Sequence, residues 1–191
     1  MKVLGIAGSL RHDSWNKKLL RAAADVLPSD AELEIWDGLK AVPPYDEDDD
    51  HDPAPAAVAQ MREAIAGADA VLIATPEYNS SIPGQLKNAL DWASRPLATN
   101  ALRNKPVAVV GASTGVFGAA WAQAELRKVL ATTGARVLDD GVSVGRAPEQ
   151  FDGSGRLVNL DIENSLLAVV EKLVDQARTR EQARRRIAVA A

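Results

Sequence analysis

The chain has 191 residues, 47% of them hydrophobic and 25% charged, with a net charge of -4. That is the mixture of one globular domain spanning residues 1–191, and the acidic balance gives no basic surface for a nucleic acid. Cysteine is absent, which excludes disulfides, thiolate zinc sites, iron–sulfur clusters and cysteine nucleophiles, and two histidines, His12 and His51, are too few for a multi-histidine metal site.

From the N-terminus, the apolar run Val3–Ala7 is the first predicted buried strand. It is too short for a signal peptide or a membrane span, so a cytoplasmic protein without membrane partners is expected. Leu33–Trp36, Ala70–Thr75, Val107–Gly111 and about Arg136–Val144 complete a set of five strands. Stretches with helical spacing lie between them: Asn16–Leu27, with Leu19, Leu20, Ala23, Ala24 and Leu27 on one face, then Ala56–Ala66, Gly84–Trp92 and Ala119–Thr132. A long final helix is predicted over Asp161–Arg186. Strands alternating with helices of this length predict βαβ units, and the absence of polar alternation predicts strands buried on both faces. The fold class is therefore α/β, a doubly wound parallel sheet in three α/β/α layers.

Two segments interrupt the alternation. Pro43–Pro55 carries four prolines and the acidic run Asp46–Asp52. Its carboxylates lack the spacing and glycine of a calcium loop, so a solvated surface loop is expected. The basic stretch Arg178–Arg186 is read, with the residues to 191, as a frayed helix end or tail whose arginines suit the negative end of the helix dipole.

In an open parallel sheet, ligands bind beyond the carboxyl ends of the strands where strand order reverses. Three loops at that edge carry candidate residues. After the first strand comes Gly8-Ser9-Leu10-Arg11-His12-Asp13-Ser14-Trp15-Asn16, which runs into the start of a helix. Free amides, the positive helix end, short polar donors and one guanidinium suit a single phosphate. It is neither a Walker loop nor a dinucleotide fingerprint. The alternative is an ordinary turn with Ser14 capping the helix.

After the third strand, Thr75-Pro76-Glu77-Tyr78-Asn79-Ser80-Ser81-Ile82-Pro83-Gly84 is stiffened by two prolines, and a rigid connection that holds no ligand is the alternative to a binding loop here. Its fixed amides and aromatic surface suit the edge and face of a flat heteroaromatic ring. After the fourth strand, Gly111-Ala112-Ser113-Thr114-Gly115-Val116-Phe117-Gly118 matches the Gly-x-Ser-x-Gly of a hydrolase nucleophile elbow. That fold orders serine, acid, histidine, and no histidine follows Ser113. A glycine-rich loop admitting a ring close to the backbone is the better reading.

At these loops the sequence resembles the NADPH-dependent FMN reductase family, which has a flavodoxin-like fold and includes quinone, azo-dye and chromate reductases. The resemblance covers Lys2 to about Val144. It is carried by Gly8-Ser9-Leu10-Arg11 with Ser14 and Asn16, and by Thr75-Pro76-Glu77-Tyr78-Asn79 through Pro83-Gly84-Gln85-Leu86-Lys87-Asn88-Ala89-Leu90-Asp91-Trp92.

It implies a five-stranded sheet in order 2-1-3-4-5. It implies FMN with its phosphate at Ser9, Arg11, Ser14 and Asn16, with Gly8, Leu10 and Trp15 in the same loop. The isoalloxazine is expected along Pro76, Glu77, Tyr78 and Asn79. Ser113, Thr114, Gly115 and Gly118 close the other side. A hydride passes from NADPH or NADH through FMN to a small-molecule acceptor: a quinone, azo compound, metal oxyanion or free flavin. The flavin carries the chemistry, so no catalytic side chain is assigned.

The family implies a homodimer or homotetramer, with Gly84–Trp92 as the candidate contact. Where the family commonly has Gly-Gly-Ala-Arg, this chain has Gly118-Ala119-Ala120-Trp121, which alters the substrate side of the pocket. The alternatives are an electron carrier of the flavodoxin kind and a flavin-binding sensory module without turnover.

Overall fold

The computed structural model describes residues 1–190. Four strands form the body of one parallel sheet: β1 (Lys2–Ala7), β2 (Glu32–Trp36), β3 (Ala70–Thr75) and β4 (Pro106–Ala112). Val3 pairs with Ala70 on one side and Leu33 on the other, and Val71 pairs with Val107. The order is β2-β1-β3-β4 with β5 (Arg136–Val137) beyond β4, as the family resemblance implies.

Both faces of the sheet are buried at β1, β3 and β4, which explains their unbroken apolar runs. The edge strand β2 differs from the buried strand expected there: Glu32 and Glu34 alternate with Leu33 and Ile35, and none of its residues is fully buried, because an edge strand is covered on fewer sides. On one face Val3, Ala7, Leu72, Ala74 and Val110 pack with Leu19, Leu20 and Ala23 of α1 (Trp15–Asp25). Leu166, Val170 and Leu173 join them; they belong to the final helix, numbered below as α6. On the other, Leu4, Ile6, Ile73 and Val109 meet Val58 and Met61 of α2 (Ala56–Gly67), Leu86 of α3 (Gly84–Ala93) and Leu126 of α4 (Ala120–Thr132). Because α1 and α3 lie on opposite faces, their loops part at the junction of β1 and β3, and a crevice opens there.

The fifth strand departs from the single run expected over Arg136–Val144. It divides into β5 (Arg136–Val137), paired with Pro106 and Val107, and β6 (Ser143–Val144), paired with Gly111 and Ala112. Between them the polar Asp139-Asp140-Gly141 leaves the sheet. The Arg127 guanidinium fills the gap and donates to the Val109 carbonyl at 3.4 Å, and a Cβ at Gly141 would collide with it. A short helix, α5 (Ala147–Gln150), follows, with proline in its first turn.

The last helix, α6 (Leu160–Ala190), starts on Asn159, whose Oδ1 accepts from the amides of Asp161 and Ile162. The basic stretch is helical through Ala190, and Arg178 pairs with Asp30 at 2.6 Å. In the acidic loop, Asp50 pairs with Arg62 at 2.9 Å while Glu47–Asp49 form an exposed 3-10 turn.

The run Gln85–Trp92 on α3 stitches the chain together. Gln85 Nε2 donates to the carbonyls of Leu39 and Val42, and Asn88 Nδ2 and Trp92 Nε1 both donate to Pro43 O. Their spacing of three and four places them on one helical face. The segment after β2 is thereby fixed beside the ligand edge.

Candidate active site: a cleft at the β1–β3 junction

At the carboxyl edge, the three loops meet in one cleft. The loop after β1 contributes Ser9, Arg11, Ser14, Trp15 and Asn16; the loop after β3 contributes Pro76, Glu77 and Tyr78; the end of β4 contributes Ala112, Ser113 and Thr114. Ala112 was not among the residues expected from the sequence, because an alanine carries no chemical signal. Its backbone is what matters.

The first loop is set by its glycine. Gly8 N donates to Ala74 O at 2.8 Å, and a Cβ at Gly8 would come within 2.9 Å of Leu86 and 3.2 Å of the Pro76 ring. Any side chain here would crowd Leu86 of α3 and Pro76 of the second loop, so glycine favours this close approach. Ser14 caps α1, its Oγ accepting from Lys17 N at 3.4 Å. Ser14 thus does what the alternative reading of this loop gave it, capping the helix start. The amides of Trp15 and Asn16, in the first turn, have no intrahelical acceptor and lie at the positive helix end. Ser9 is buried and its Oγ accepts from Arg11 N at 3.4 Å. Arg11 is exposed and makes no ion pair among the described residues.

Asn16 has a different task from its neighbours. Its Nδ2 donates to Ala112 O and its Oδ1 accepts from Ala112 N, both at 3.0 Å and both buried. The side chain thus ties the first loop to the third.

The second loop ends in a tight turn. Tyr78 and Ser81 exchange backbone hydrogen bonds of 3.0 and 3.1 Å, and Asn79 and Ser80 between them have φ of 53° and 61°. Two consecutive left-handed residues define a type I′ turn, and asparagine tolerates that region well. Tyr78 stands about half exposed at the rim.

Glu77 braces the second loop against the third. Its Oε2 accepts from the amides of Trp121 and Ala122 at 3.0 and 3.1 Å. The residue before α4, Ala119, has φ 64° and a side chain that cannot cap. Glu77 supplies the cap from another loop, and its negative charge suits the helix N-terminus.

The third loop closes on the segment beyond β6. Ser113 N donates to Val144 O, and Ala147 N donates to Ser113 O, both at 3.0 Å. Gly118, with φ 57°, lies so close to the backbone of Ser143–Gly145 that a Cβ would come within 2.7 Å of three of its atoms. Ser113 Oγ donates to Gly115 O at 3.4 Å.

Of the residues expected at the site, Gly8, Leu10, Asn79, Gly115 and Gly118 stand outside the lining: Gly8, Gly115 and Gly118 shape the loops, Asn79 forms the turn, and Leu10 is partly exposed on the far side of the first loop.

The donor set suits FMN. One phosphate finds first-turn amides, the Ser9 hydroxyl and an unpaired guanidinium. The cleft's single carboxylate, Glu77, is already engaged by two amides and adds little repulsion. Pro76 and Tyr78 give the apolar and aromatic surface a flat ring needs. Among the lining residues no histidine, lysine or cysteine stands ready as an acid or base.

A parallel sheet in order 2-1-3-4-5 with a phosphate-suited loop at its crossover defines a flavodoxin-like protein. Comparison with known proteins refines that class. The family profile for NADPH-dependent FMN reductase matches residues 1–149, and the chain belongs to this family. It is similar to an NAD(P)H-dependent FMN reductase of Pseudomonas aeruginosa, 44% identical over 160 residues, 83% of this chain and 85% of the relative. It is also similar to a 2-hydroxy-1,4-benzoquinone reductase of a Burkholderia species, 38% identical over 94% of this chain and 98% of the relative. Among solved structures, the flavoenzyme NAD(P)H:(acceptor) oxidoreductase FerB from Paracoccus denitrificans superposes with a TM-score of 0.84 at 35% identity, covering 93% of this chain and 97% of that one.

Proposed function

We propose that this protein is an NAD(P)H-dependent, FMN-containing oxidoreductase whose acceptors are quinones. The observation that carries the reading is the convergence of the three loops at the β1–β3 junction, with an unpaired arginine at a helix start on one side and Tyr78 on the other. The names of the Pseudomonas and Burkholderia relatives support both the donor and the acceptor class. Azo compounds, metal oxyanions and free flavin are further acceptors of the same two-electron chemistry.

Bound FMN supplies that two-electron redox chemistry; the chain supplies position and charge. Ser9, Arg11, Ser14 and the first-turn amides at Trp15 and Asn16 hold the phosphate. Pro76, Glu77 and Tyr78 bound the ring on one side, and Ser113 and Thr114 bound it on the other, on loops whose shape Asn79, Gly115 and Gly118 set. Backbone amides of the two latter loops, fixed by the Glu77 and Asn16 braces, are preorganised to receive developing negative charge without reorienting.

A homodimer or homotetramer accords with the exposed apolar side chains of the third loop and the start of α4, Val116, Phe117 and Trp121. Phe117 and Trp121 meet edge to face with centroids 4.8 Å apart. The outer face of α3, with Lys87 and Asp91, lines a groove against α4 and is the second candidate contact. A cytoplasmic setting rests on the donor nucleotide.

The testing experiment is NADPH oxidation by the FMN-loaded protein with quinones, azo dyes, chromate and free flavin compared side by side. Quinones giving the highest kcat/KM support the acceptor assignment. Oxidation no faster than the unassisted reaction with every acceptor contradicts an enzyme and favours the electron carrier.

A further inference from the structure

A second pocket, of about 250 Å³, opens beside the first at the carboxyl ends of β1 and β2. Its walls are Ser9 and Leu10 from the first loop, His12 and Lys17 at the start of α1, and Trp36, Asp37, Leu39 and Lys40 after β2. Ser9 lines both pockets, so the two share a wall. None of the roles assigned above uses Lys17, Trp36 or Lys40.

The chemistry of this pocket differs from its surroundings. The chain as a whole carries -4, yet here two lysines and a histidine face one carboxylate. That carboxylate is matched, since Lys17 Nζ donates to Asp37 Oδ1 at 2.6 Å. Lys40 is exposed on a 3-10 turn, Gly38–Ala41, and forms no ion pair among the described residues. The pocket therefore holds one uncompensated cation beside an aromatic wall, Trp36. The turn that presents Lys40 is held in place: Gln85 Nε2 ties down Leu39 O, and Gly38 lets the Trp36 indole lie against the turn, where a Cβ would collide with the ring. An aromatic surface beside a lysine carried on a held turn suits a flat base that carries a phosphate.

Position narrows the ligand. The FMN cleft lies over β1, β3 and β4, and this pocket lies over β1 and β2. Their centres are offset by about two strand spacings, ~10 Å. One extended dinucleotide spans that distance.

We infer that this pocket binds the ADP half of the nicotinamide nucleotide, with Lys40 and Lys17 receiving a phosphoryl group and Trp36 flanking the adenine. The inference rests on the oxidoreductase reading above and adds a donor-specificity site to it. The phosphoryl group has two sources: the 2′-phosphate, which only NADPH carries, and the pyrophosphate, common to both nucleotides.

The test is calorimetric titration of the FMN-loaded protein with 2′,5′-ADP and, separately, with ADP. Wild type is compared with Lys40→Ala, Lys40→Glu and Lys17→Met, with FMN content measured for each. If the site is correct, Lys40→Ala weakens 2′,5′-ADP about tenfold and Lys40→Glu weakens it further. An unchanged ADP affinity assigns the 2′-phosphate to Lys40, and an equal loss for both fragments assigns the pyrophosphate. Equal affinity in all proteins, no binding to wild type, or loss of FMN from the lysine variants overturns the inference. Failure of the oxidoreductase reading is separate: it appears as bound flavin that NADPH does not bleach. A flavin that bleaches, with fragment affinities indifferent to Lys40 and Lys17, sinks this inference alone.

Discussion

Asn16 and Ala112 exchange two buried hydrogen bonds of 3.0 Å across 96 residues of chain. The bond pair locks the first turn of α1 to the end of β4, so the first and third loops cannot shift independently. Asn16→Ala leaves a buried N–H and a buried C=O without partners, each costing about 1–3 kcal/mol. A lower denaturant midpoint and weaker FMN binding are the expected outcome. Asn16→Asp keeps the acceptor but sets a carboxylate against the Ala112 carbonyl, and it too is destabilised. A midpoint equal to wild type in both variants contradicts the bracing role.

Glu77 gives a second, graded test. Glu77→Ala removes the cap of α4 and is expected to cost about 1 kcal/mol, at the middle of the range for such caps. Glu77→Gln retains an acceptor and loses only the charge, so its cost is smaller. Thermal unfolding of the three proteins gives the order wild type, Gln, Ala. Glutamine as damaging as alanine would show that charge, not geometry, is what Glu77 provides.

Arg11→Ala addresses the phosphate directly. Losing a charge-assisted contact of about 1.5–3 kcal/mol lowers FMN affinity roughly ten- to a hundredfold. Fluorescence titration measures it. Because Arg11 is exposed and makes no ion pair among the described residues, the unfolding midpoint of the variant without FMN remains that of wild type.

Lys105 predicts a pH dependence far from the cleft. Only 2% exposed, it donates from Nζ to the carbonyls of Ala66 and Ala68 at the end of α2. Burial, with Arg180 adding repulsion, pushes its ammonium down to about 8. The folded protein therefore gives up this proton more readily than the unfolded chain, in which a lysine titrates near ~10.4. Below about 8 the full penalty for burying the charge applies, and it is relieved as pH rises through the window between the two values. The relief amounts to about 3 kcal/mol. Unfolding free energies of wild type and Lys105→Met, measured from pH 7 to 10.5, should converge or cross in wild type's favour as pH rises. Parallel curves contradict the shift.

Most of the sheet was legible because burial on both faces writes itself into the chain as apolar runs such as Ala70–Thr75. The division of the last strand was not. The apolar residues Val137, Leu138, Val142 and Val144 suggest one strand, the turn-forming Asp139-Asp140-Gly141 between them marks the break, and the guanidinium that fills the gap comes from Arg127 on another element. The site was legible at the level of its three loops. It was not legible at the level of which polar atoms face the cleft. Asn16 and Glu77 were expected as ligand residues, and their polar groups are engaged by backbone at Ala112, Trp121 and Ala122. An amide or carboxylate that braces a loop has the same one-letter signature as one that binds a ligand. Only the position of the distant backbone separates them. The pocket around Lys40 escaped for a related reason: its residues come from two segments, neither of which forms a motif.

The central claim is that the cleft holds a flavin which the nicotinamide nucleotide reduces before the acceptor arrives. Donor and acceptor that use one face in turn give parallel lines in steady-state kinetics. The most direct measurement is anaerobic stopped-flow mixing of the FMN-loaded protein with NADPH alone, followed at the flavin absorbance. The account predicts bleaching at a rate at least equal to turnover with a quinone. Bleaching slower than turnover, or none, would contradict it.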